Sequence, residues 1–175
     1  MTVILTGFMG TGKTTVGRQL ARRLGKQFVD TDQQIEELEG RSIADIFATD
    51  GETAFRAVER RVVAEAVSKD AVVATGGGAI LDGTNLDHMR DAGPIICLTA
   101  ATDVILERTA TNSDRPLLNS NERRQRIEAL LRDRASAYAH ADFVVDTSHR
   151  SVASVLDDIV EFLKRESKRF QKDAR

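Results

Sequence analysis

The residues Gly7-Phe8-Met9-Gly10-Thr11-Gly12-Lys13-Thr14 fit the pattern G-x-x-x-x-G-K-[ST], whose chemistry is the cradling of a polyphosphate. Glycines let the backbone wrap closely around phosphate oxygens, and amide hydrogens with the following helix dipole meet their negative charge. Lys13 reaches the β- and γ-phosphates, and the Thr14 hydroxyl offers a ligand to Mg²⁺. Gly10, Thr11, Gly12, Lys13, Thr14 and Thr15 are therefore the expected nucleotide contacts. A plain glycine turn is the alternative, and the flanking residues decide against it. Thr2-Val3-Ile4-Leu5-Thr6 is a short β-rich apolar run, and the stretch 13–24 puts Val16, Leu20, Ala21 and Leu24 on one helix face, so the loop joins a strand to a helix.

Carboxylates and arginines supply a second chemistry. Asp30 and Asp32 stand two apart at the end of an apolar run and point towards one region. One of the two can hold Mg²⁺ through water while the other accepts the proton of an attacking hydroxyl. Asp32 can instead cap the helix that follows. Arg56 and Glu59, three apart on a predicted helix, share a face, so Glu59 can orient the guanidinium towards an anionic or polyol substrate. A surface ion pair is the other reading. Gly76-Gly77-Gly78 suits neither a strand nor a helix interior and brings backbone amides close to a ligand, unless it is only a flexible turn. Arg115 precedes Pro116 in a polar stretch over about 110–122 that reads as a mobile lid, from which an arginine can swing onto a transferring phosphoryl group. Arg108 and Arg134 are further cationic candidates.

These groups need a scaffold that brings them together. Further strands are expected at 27–30, 71–75, 94–98 and 142–146, and helices at 32–38, 42–47, 53–67, 85–91, 102–109, 123–138 and 151–170. Strand and helix alternate, and most strand runs are continuously apolar, as in parallel strands buried on both faces. The expected class is α/β, with a five-stranded, mainly parallel sheet between helices. Ligands in such sheets lie at the carboxyl ends of the strands, where the phosphate loop, Asp30-Thr31-Asp32 and Gly76-Gly77-Gly78 all fall. The last helix carries a stripe of Val152, Val155, Leu156, Ile159, Phe162 and Leu163 that serves packing, and the basic end over about 166–175 reads as a solvated, frayed tail.

Composition narrows the function classes. A chain of 175 residues is the size of one domain. Its 41% hydrophobic content and two prolines argue against disorder, and no apolar run reaches the roughly 20 residues that span a bilayer. No signal segment precedes the first strand, so the cytoplasm is the expected address. Net charge of −2 provides no basic field for nucleic acid. Cys97, the single cysteine, lies in an apolar run and reads as a buried, inert thiol. No N-K-x-D guanine-reading motif occurs, which disfavours a switch GTPase.

Taken in order, Gly-Phe-Met-Gly-Thr-Gly-Lys-Thr at 7–14, Asp-Thr-Asp at 30–32, Gly-Arg-Ser-Ile-Ala-Asp-Ile-Phe at 40–47, Phe-Arg-x-x-Glu at 55–59, Gly-Gly-Gly at 76–78, Arg-Pro-Leu-Leu at 115–118, Arg-x-x-x-Tyr at 134–138 and Asp-Thr-Ser at 146–148 make the chain similar nearly end to end to the shikimate kinase family. The resemblance implies the three-layer P-loop kinase fold of the nucleoside monophosphate kinase class, with a lid. It implies ATP-dependent phosphorylation of the 3-hydroxyl of shikimate, in the route to chorismate and the aromatic amino acids, with Mg²⁺. It makes Asp32 the contact to the ring hydroxyls and the base. Arg56, Arg134 and the backbone around Gly77 hold shikimate, with Glu59, Gly76 and Gly78 beside them. Arg115 becomes the lid arginine on the phosphates, and Arg108 with the segment around Arg150 frames the adenine. A monomer with only small-molecule substrates is the expectation. A gluconate-type kinase and a non-catalytic nucleotide-binding module are the competing readings.

Overall fold

The computed structural model describes residues 1–110 and 120–173, the side chains of 120 and 168–173 excepted. Five strands run β1 (Val3–Gly7), β2 (Gln27–Asp30), β3 (Ala71–Ala74), β4 (Ile95–Thr99) and β5 (Phe143–Asp146), and they order as β2-β3-β1-β4-β5 with every pairing parallel. Eight helices connect and flank them among the described residues: α1 (Lys13–Leu24), α2 (Thr31–Glu39), α3 (Ile43–Thr49), α4 (Gly51–Val67), α5 (Gly83–Ala92), α6 (Thr102–Arg108), α7 (Ser120–Tyr138) and α8 (Val152–Asp173). A 3₁₀ turn, Ala79–Leu81, precedes α5. None of the described helices is long and apolar enough to cross a membrane.

Alternation along the strands divides the core. Val3 and Leu5 of β1 pack with Val16, Leu20 and Ala21 of α1 and with Val155, Leu156, Ile159 and Leu163 of α8. Ile4 points the other way, into a cluster with Val63 and Ala66 of α4, Leu86 and Met89 of α5 and Ile127 of α7. Every residue of β1 is buried, because a central parallel strand is covered on both faces. The three layers are therefore helices, sheet and helices. A third, smaller cluster of Ile35, Ile46, Phe55 and Val62 holds α2, α3 and α4 together beside the sheet.

Element boundaries depart from the sequence expectation by a residue or a few. Helices α4 and α5 each begin two residues earlier than expected. For α5 the reason is Asp82, whose carboxylate accepts from Asn85 N at 3.1 Å and caps the helix. Strand β4 starts at Ile95 because Pro94 has no N–H to give the ladder, although its carbonyl accepts from Ile4 N at 3.0 Å. Helix α7 begins at Ser120, so the last three residues of the expected 110–122 loop are helical. Residues 111–119, with Arg115 and Pro116, lie outside the described part. The basic end is helical through Asp173, continuing α8 where a frayed tail was expected from about 166.

Cys97 is fully buried, and desolvation pushes its thiol up to about 11, which agrees with an inert packing role. At the opposite end of the sheet from the phosphate loop, Gly93 closes α5 with φ +156°, and a Cβ there would lie 2.1 Å from the carbonyl oxygen of Thr2. The clashing atom is backbone and cannot rotate away. Gly93→Ala is expected to cost on the order of 2 kcal/mol or more, read as a melting temperature lowered by about 4–8 °C. Specific activity below the transition stays near that of the parent, since the change lies far from the strands' carboxyl ends.

Candidate active site

The site begins where β1 leaves the sheet. Gly12 has φ +93° and ψ 18°, a left-handed conformation that turns the loop into α1 and aims the first amides of the helix at the loop's hollow. Thr11 Oγ1 donates to Phe8 O at 2.7 Å and fixes the curl of the loop. Lys13 Nζ donates to Gly7 O at 2.8 Å and Phe8 O at 3.0 Å, holding the ammonium at the carboxyl end of β1. Burial lowers the Lys13 pKa, against the pull of Asp32 and Asp30, which favour the charged form. Thr14 is exposed on the first turn, and its hydroxyl donates to Asp30 Oδ2 at 2.9 Å.

That bond joins the loop to the end of β2. Asp30, not Asp32, caps the next helix: its Oδ1 accepts from Asp32 N at 3.2 Å and Gln33 N at 3.4 Å. The capping alternative raised for Asp32 therefore belongs to Asp30, and the Asp32 side chain turns instead towards the glycines after β3. Burial, and then the neighbouring Asp30 charge, push the Asp32 carboxyl up to about 6, with Lys13 opposing. A hydroxyl and a carboxylate at hydrogen-bond distance are hard oxygen donors. They fit Mg²⁺, which takes one or two protein ligands and completes its shell from phosphate and water. Among the described residues no cluster of three or more His, Cys, Asp or Glu suits another metal.

Helix α4 supplies the next pair. Arg56 Nη1 meets Glu59 Oε2 at 2.7 Å, and Glu59 is only 1% exposed, so the surface-pair reading does not hold for this glutamate. Glu52 takes the other edge of the guanidinium, at 3.2 Å from Nη2, and the Phe55 ring lies 5.1 Å from it. Burial raises the Glu59 pKa while Arg56 opposes the rise. The glycine run explains how these groups converge. A Cβ on Gly76 would lie 2.6 Å from Asp32 Oδ1 and 3.1 Å from Glu59 Oε1, one on Gly77 would lie 3.3 Å from Arg134 Nη1, and one on Gly78 would lie 2.9 Å from Arg56 Nη2. The run thus makes room for side chains. Its first amide is committed, donating to Thr31 Oγ1 at 3.2 Å. Arg134, from α7, lies with its guanidinium 5.4 Å from the Phe8 ring centroid.

On the other side of the phosphate loop, Arg108 binds Thr147 through Oγ1 at 3.0 Å and O at 2.9 Å and reaches Gly10 O at 3.2 Å. Thr147 Oγ1 also stands 3.0 Å from both Thr11 O and Thr99 O. A cleft of about 210 Å³ opens here, bordered by Thr11, Gly12, Thr15, Arg108, Thr147 and Arg150. Arg150 is held by Asp158 at 2.8 Å and by Ser154. A larger, open depression of about 440 Å³ near Met1, Asp70 and His88 contains none of the candidate residues. Sequence reasoning gave no role to Thr31, Thr147 or Tyr138. Each nevertheless stands inside a motif of the chain, Asp-Thr-Asp at 30–32, Asp-Thr-Ser at 146–148 and Arg-x-x-x-Tyr at 134–138.

A phosphate loop at the carboxyl edge of this all-parallel sheet, beside a meeting of carboxylate and guanidinium groups around Gly76-Gly77-Gly78, defines a P-loop kinase of a small molecule. The family model for shikimate kinase matches residues 9–164, and the chain belongs to the shikimate kinase family, which uses ATP. A shikimate kinase of Moorella thermoacetica is 46% identical over 163 residues, covering 93% of this chain and 94% of that protein. Shikimate kinase from Acinetobacter baumannii, solved in complex with shikimate, superposes with a TM-score of 0.87 at 35% identity, covering 94% of this chain and 93% of that one. A gluconokinase from Sinorhizobium meliloti reaches a TM-score of 0.61 at 16% identity over 99% and 97% of the two chains, a likeness of fold alone.

The buried ion pair on α4 makes a testable demand. Arg56→Met leaves Glu59 without its partner and is expected to destabilise the protein by about 2–4 kcal/mol at neutral pH. Because the folded-state pKa of Glu59 is already raised, the folded form holds its proton more tightly than the unfolded chain, and stability recovers as the pH falls towards the ordinary carboxylate value. Urea unfolding in neutral and mildly acid buffer checks this. A loss unchanged by acid contradicts an ionised, buried Glu59.

Proposed function

We propose that the chain transfers the γ-phosphoryl group of ATP to the 3-hydroxyl of shikimate by holding the two substrates on opposite sides of Lys13 and Asp32, as one catalytic unit. The observation that carries this reading is the meeting of Asp32, Glu59, Arg56 and Arg134 around Gly76-Gly77-Gly78, directly beside the phosphate loop. A carboxylate near 6 among guanidinium groups suits a polyol that bears its own carboxylate.

In this arrangement Gly10, Thr11, Gly12, Lys13, Thr14 and Thr15 hold the phosphates through backbone amides, the ammonium and hydroxyls. The adenine enters the cleft between Arg108 and Arg150. Shikimate lies over the glycine run, with its carboxylate drawn to Arg56 and Arg134. Asp32 accepts the proton of the 3-hydroxyl as that oxygen attacks the γ-phosphorus, and the bond to the β,γ-bridging oxygen breaks to release ADP. Lys13 moves from the loop carbonyls onto the phosphates and offsets their charge. Arg115, the expected source of further positive charge on the phosphates, lies outside the described residues. Thr14 directly and Asp30 through water would hold Mg²⁺, which when bound neutralises charge shared between the β- and γ-phosphates. A monomer working in the cytoplasm completes the reading.

Steady-state ADP release with ATP and Mg²⁺ is expected with shikimate and not with gluconate, quinate or a nucleoside monophosphate. Turnover with gluconate alone, or nucleotide binding without turnover on any acceptor, overturns the assignment. The raised pKa of Asp32 predicts an acid limb in kcat/KM centred near pH 6: below it the carboxyl is protonated and cannot accept a proton, so the rate falls about tenfold per pH unit. Asp32→Asn abolishes turnover and barely changes nucleotide affinity. It also stabilises the fold. Because the folded pKa of about 6 exceeds the ordinary 3.8, the ionised carboxylate costs about 2–3 kcal/mol at neutral pH. The gain from Asn therefore shrinks as pH falls through that window. Thermal melts of both proteins across pH check it, and a variant that is inactive yet no more stable contradicts a strained, buried base.

A further inference from the structure

Tyr138 plays no part in the proposed chemistry, yet its contacts lead into the acceptor hollow. Its ring is 8% exposed and belongs to the core beneath Phe8 and Cys97. Its hydroxyl donates to the carbonyl of Gly77 at 2.8 Å, across 61 residues of chain. Arg134 stands four residues earlier on α7, on the same face, and its Nη1 would be 3.3 Å from a Cβ on Gly77. The phenol and the guanidinium thus close on one peptide from one helix. Arg134 also acts on the phenol directly, opposing the rise that burial gives its pKa.

We propose that Tyr138 is a positioning residue for the acceptor, fixing the distance between α7 and the Gly76-Gly77-Gly78 shelf so that Arg134 is held at the height of the shikimate carboxylate. Arg134 has a long, rotatable side chain, and the face of Phe8 orients its guanidinium without setting how far α7 stands from the sheet. A hydrogen bond from the rigid phenol to the shelf sets that distance near the C-terminal end of α7. The bond serves only the acceptor side, because the nucleotide side is tied separately through Arg108 and Thr147. This inference rests on the reading of Arg134 and Gly77 as acceptor contacts.

The test is Tyr138→Phe, which removes one hydroxyl and keeps the ring. The KM for shikimate is expected to rise about three- to tenfold, the worth of one hydrogen bond, while the KM for ATP and kcat stay within about twofold of the parent. Equal rises for both substrates, or no rise for shikimate, overturn the proposal. Arg134→Ala separates the two layers of inference. If it leaves the shikimate KM unchanged, the acceptor reading falls and Tyr138 with it. If it raises that KM while Tyr138→Phe does not, only the role of Tyr138 falls. A second measurement needs no variant. The chain holds one tyrosine and no tryptophan, so intrinsic emission reports Tyr138 alone. Shikimate is expected to change that emission with a saturation curve matching its KM, and a non-hydrolysable ATP analogue is expected to leave it nearly unchanged. Flat emission through concentrations of shikimate that saturate turnover, or a response to the nucleotide analogue only, overturns the proposal.

Discussion

Four charged side chains meet in this protein at a place where no Cβ can stand between them, and the rest of the site depends on that meeting. Asp32 comes from the start of α2, Arg56 and Glu59 from α4, and Arg134 from α7. Each lies within 2.6–3.3 Å of where a methyl group on Gly76, Gly77 or Gly78 would be. The sheet order makes the meeting possible: β3 lies between β2 and β1, so its carboxyl end faces the aspartates on one side and the phosphate loop on the other. A side chain on β3's exit would displace the ends of these groups by tenths of an ångström. Transfer between two bound substrates is sensitive to such shifts, because much of its rate comes from near-attack geometry.

Gathering charge in this way has an energetic cost. Burial raises the pKa of Asp32 and Glu59 and lowers that of Lys13, so all three are displaced towards their neutral forms by the same cause. The partial remedies are reciprocal: Lys13 opposes the shift of Asp32, and Arg56 that of Glu59. What remains unrelieved on Asp32 is also what suits it to the proposed role of base, since a carboxylate near 6 takes a proton more readily than one near 4. The apolar clusters on both faces of the sheet supply the stability against which this strain is held. Loss of stability at the site and gain in reactivity have a single origin.

The sequence made the scaffold legible because its signals are local. A buried parallel strand is a short apolar run, and α8 is a stripe at helical spacing. Of its six apolar positions Val155, Leu156, Ile159 and Leu163 are buried, with Val152 and Phe162 packed against them. The phosphate loop was legible for the same reason, its glycines and Lys13 being contiguous. That the phosphate loop, the aspartates and the glycine run share one sheet edge was legible from the strands, and the family resemblance grouped Arg56 and Arg134 with Asp32, but the contacts among these side chains were not, since they depend on how β2, α4 and β3 are brought side by side. The capping role, raised for Asp32 and taken by Asp30, shows the limit plainly. Both can cap a helix, and only the backbone position at which α2 begins selects Asp30. Thr31, Thr147 and Tyr138 received no role because the distant carbonyl or amide that each hydroxyl bonds to is not written in the chain around it.

The structure separates what the fold supplies from what the acceptor demands. The nucleotide half is tied to the sheet itself: Arg108 and Thr147 link the phosphate loop to the ends of β4 and β5 through backbone carbonyls. Such a frame reads polyphosphate, which every kinase of this class must do, and carries no information about the second substrate. The proposed acceptor half hangs on helices α4 and α7, outside the sheet, and would recognise through guanidinium groups paired with Glu59 and set over Phe8. Between the halves runs the bond from Thr14 to Asp30, whose two oxygens are also the fitting donors for Mg²⁺. Alteration of α4 and α7 can therefore change which alcohol is accepted while the phosphate chemistry is kept. On the proposed reading, the choice of shikimate therefore rests on Arg56, Glu59 and Arg134 and not on the phosphate loop.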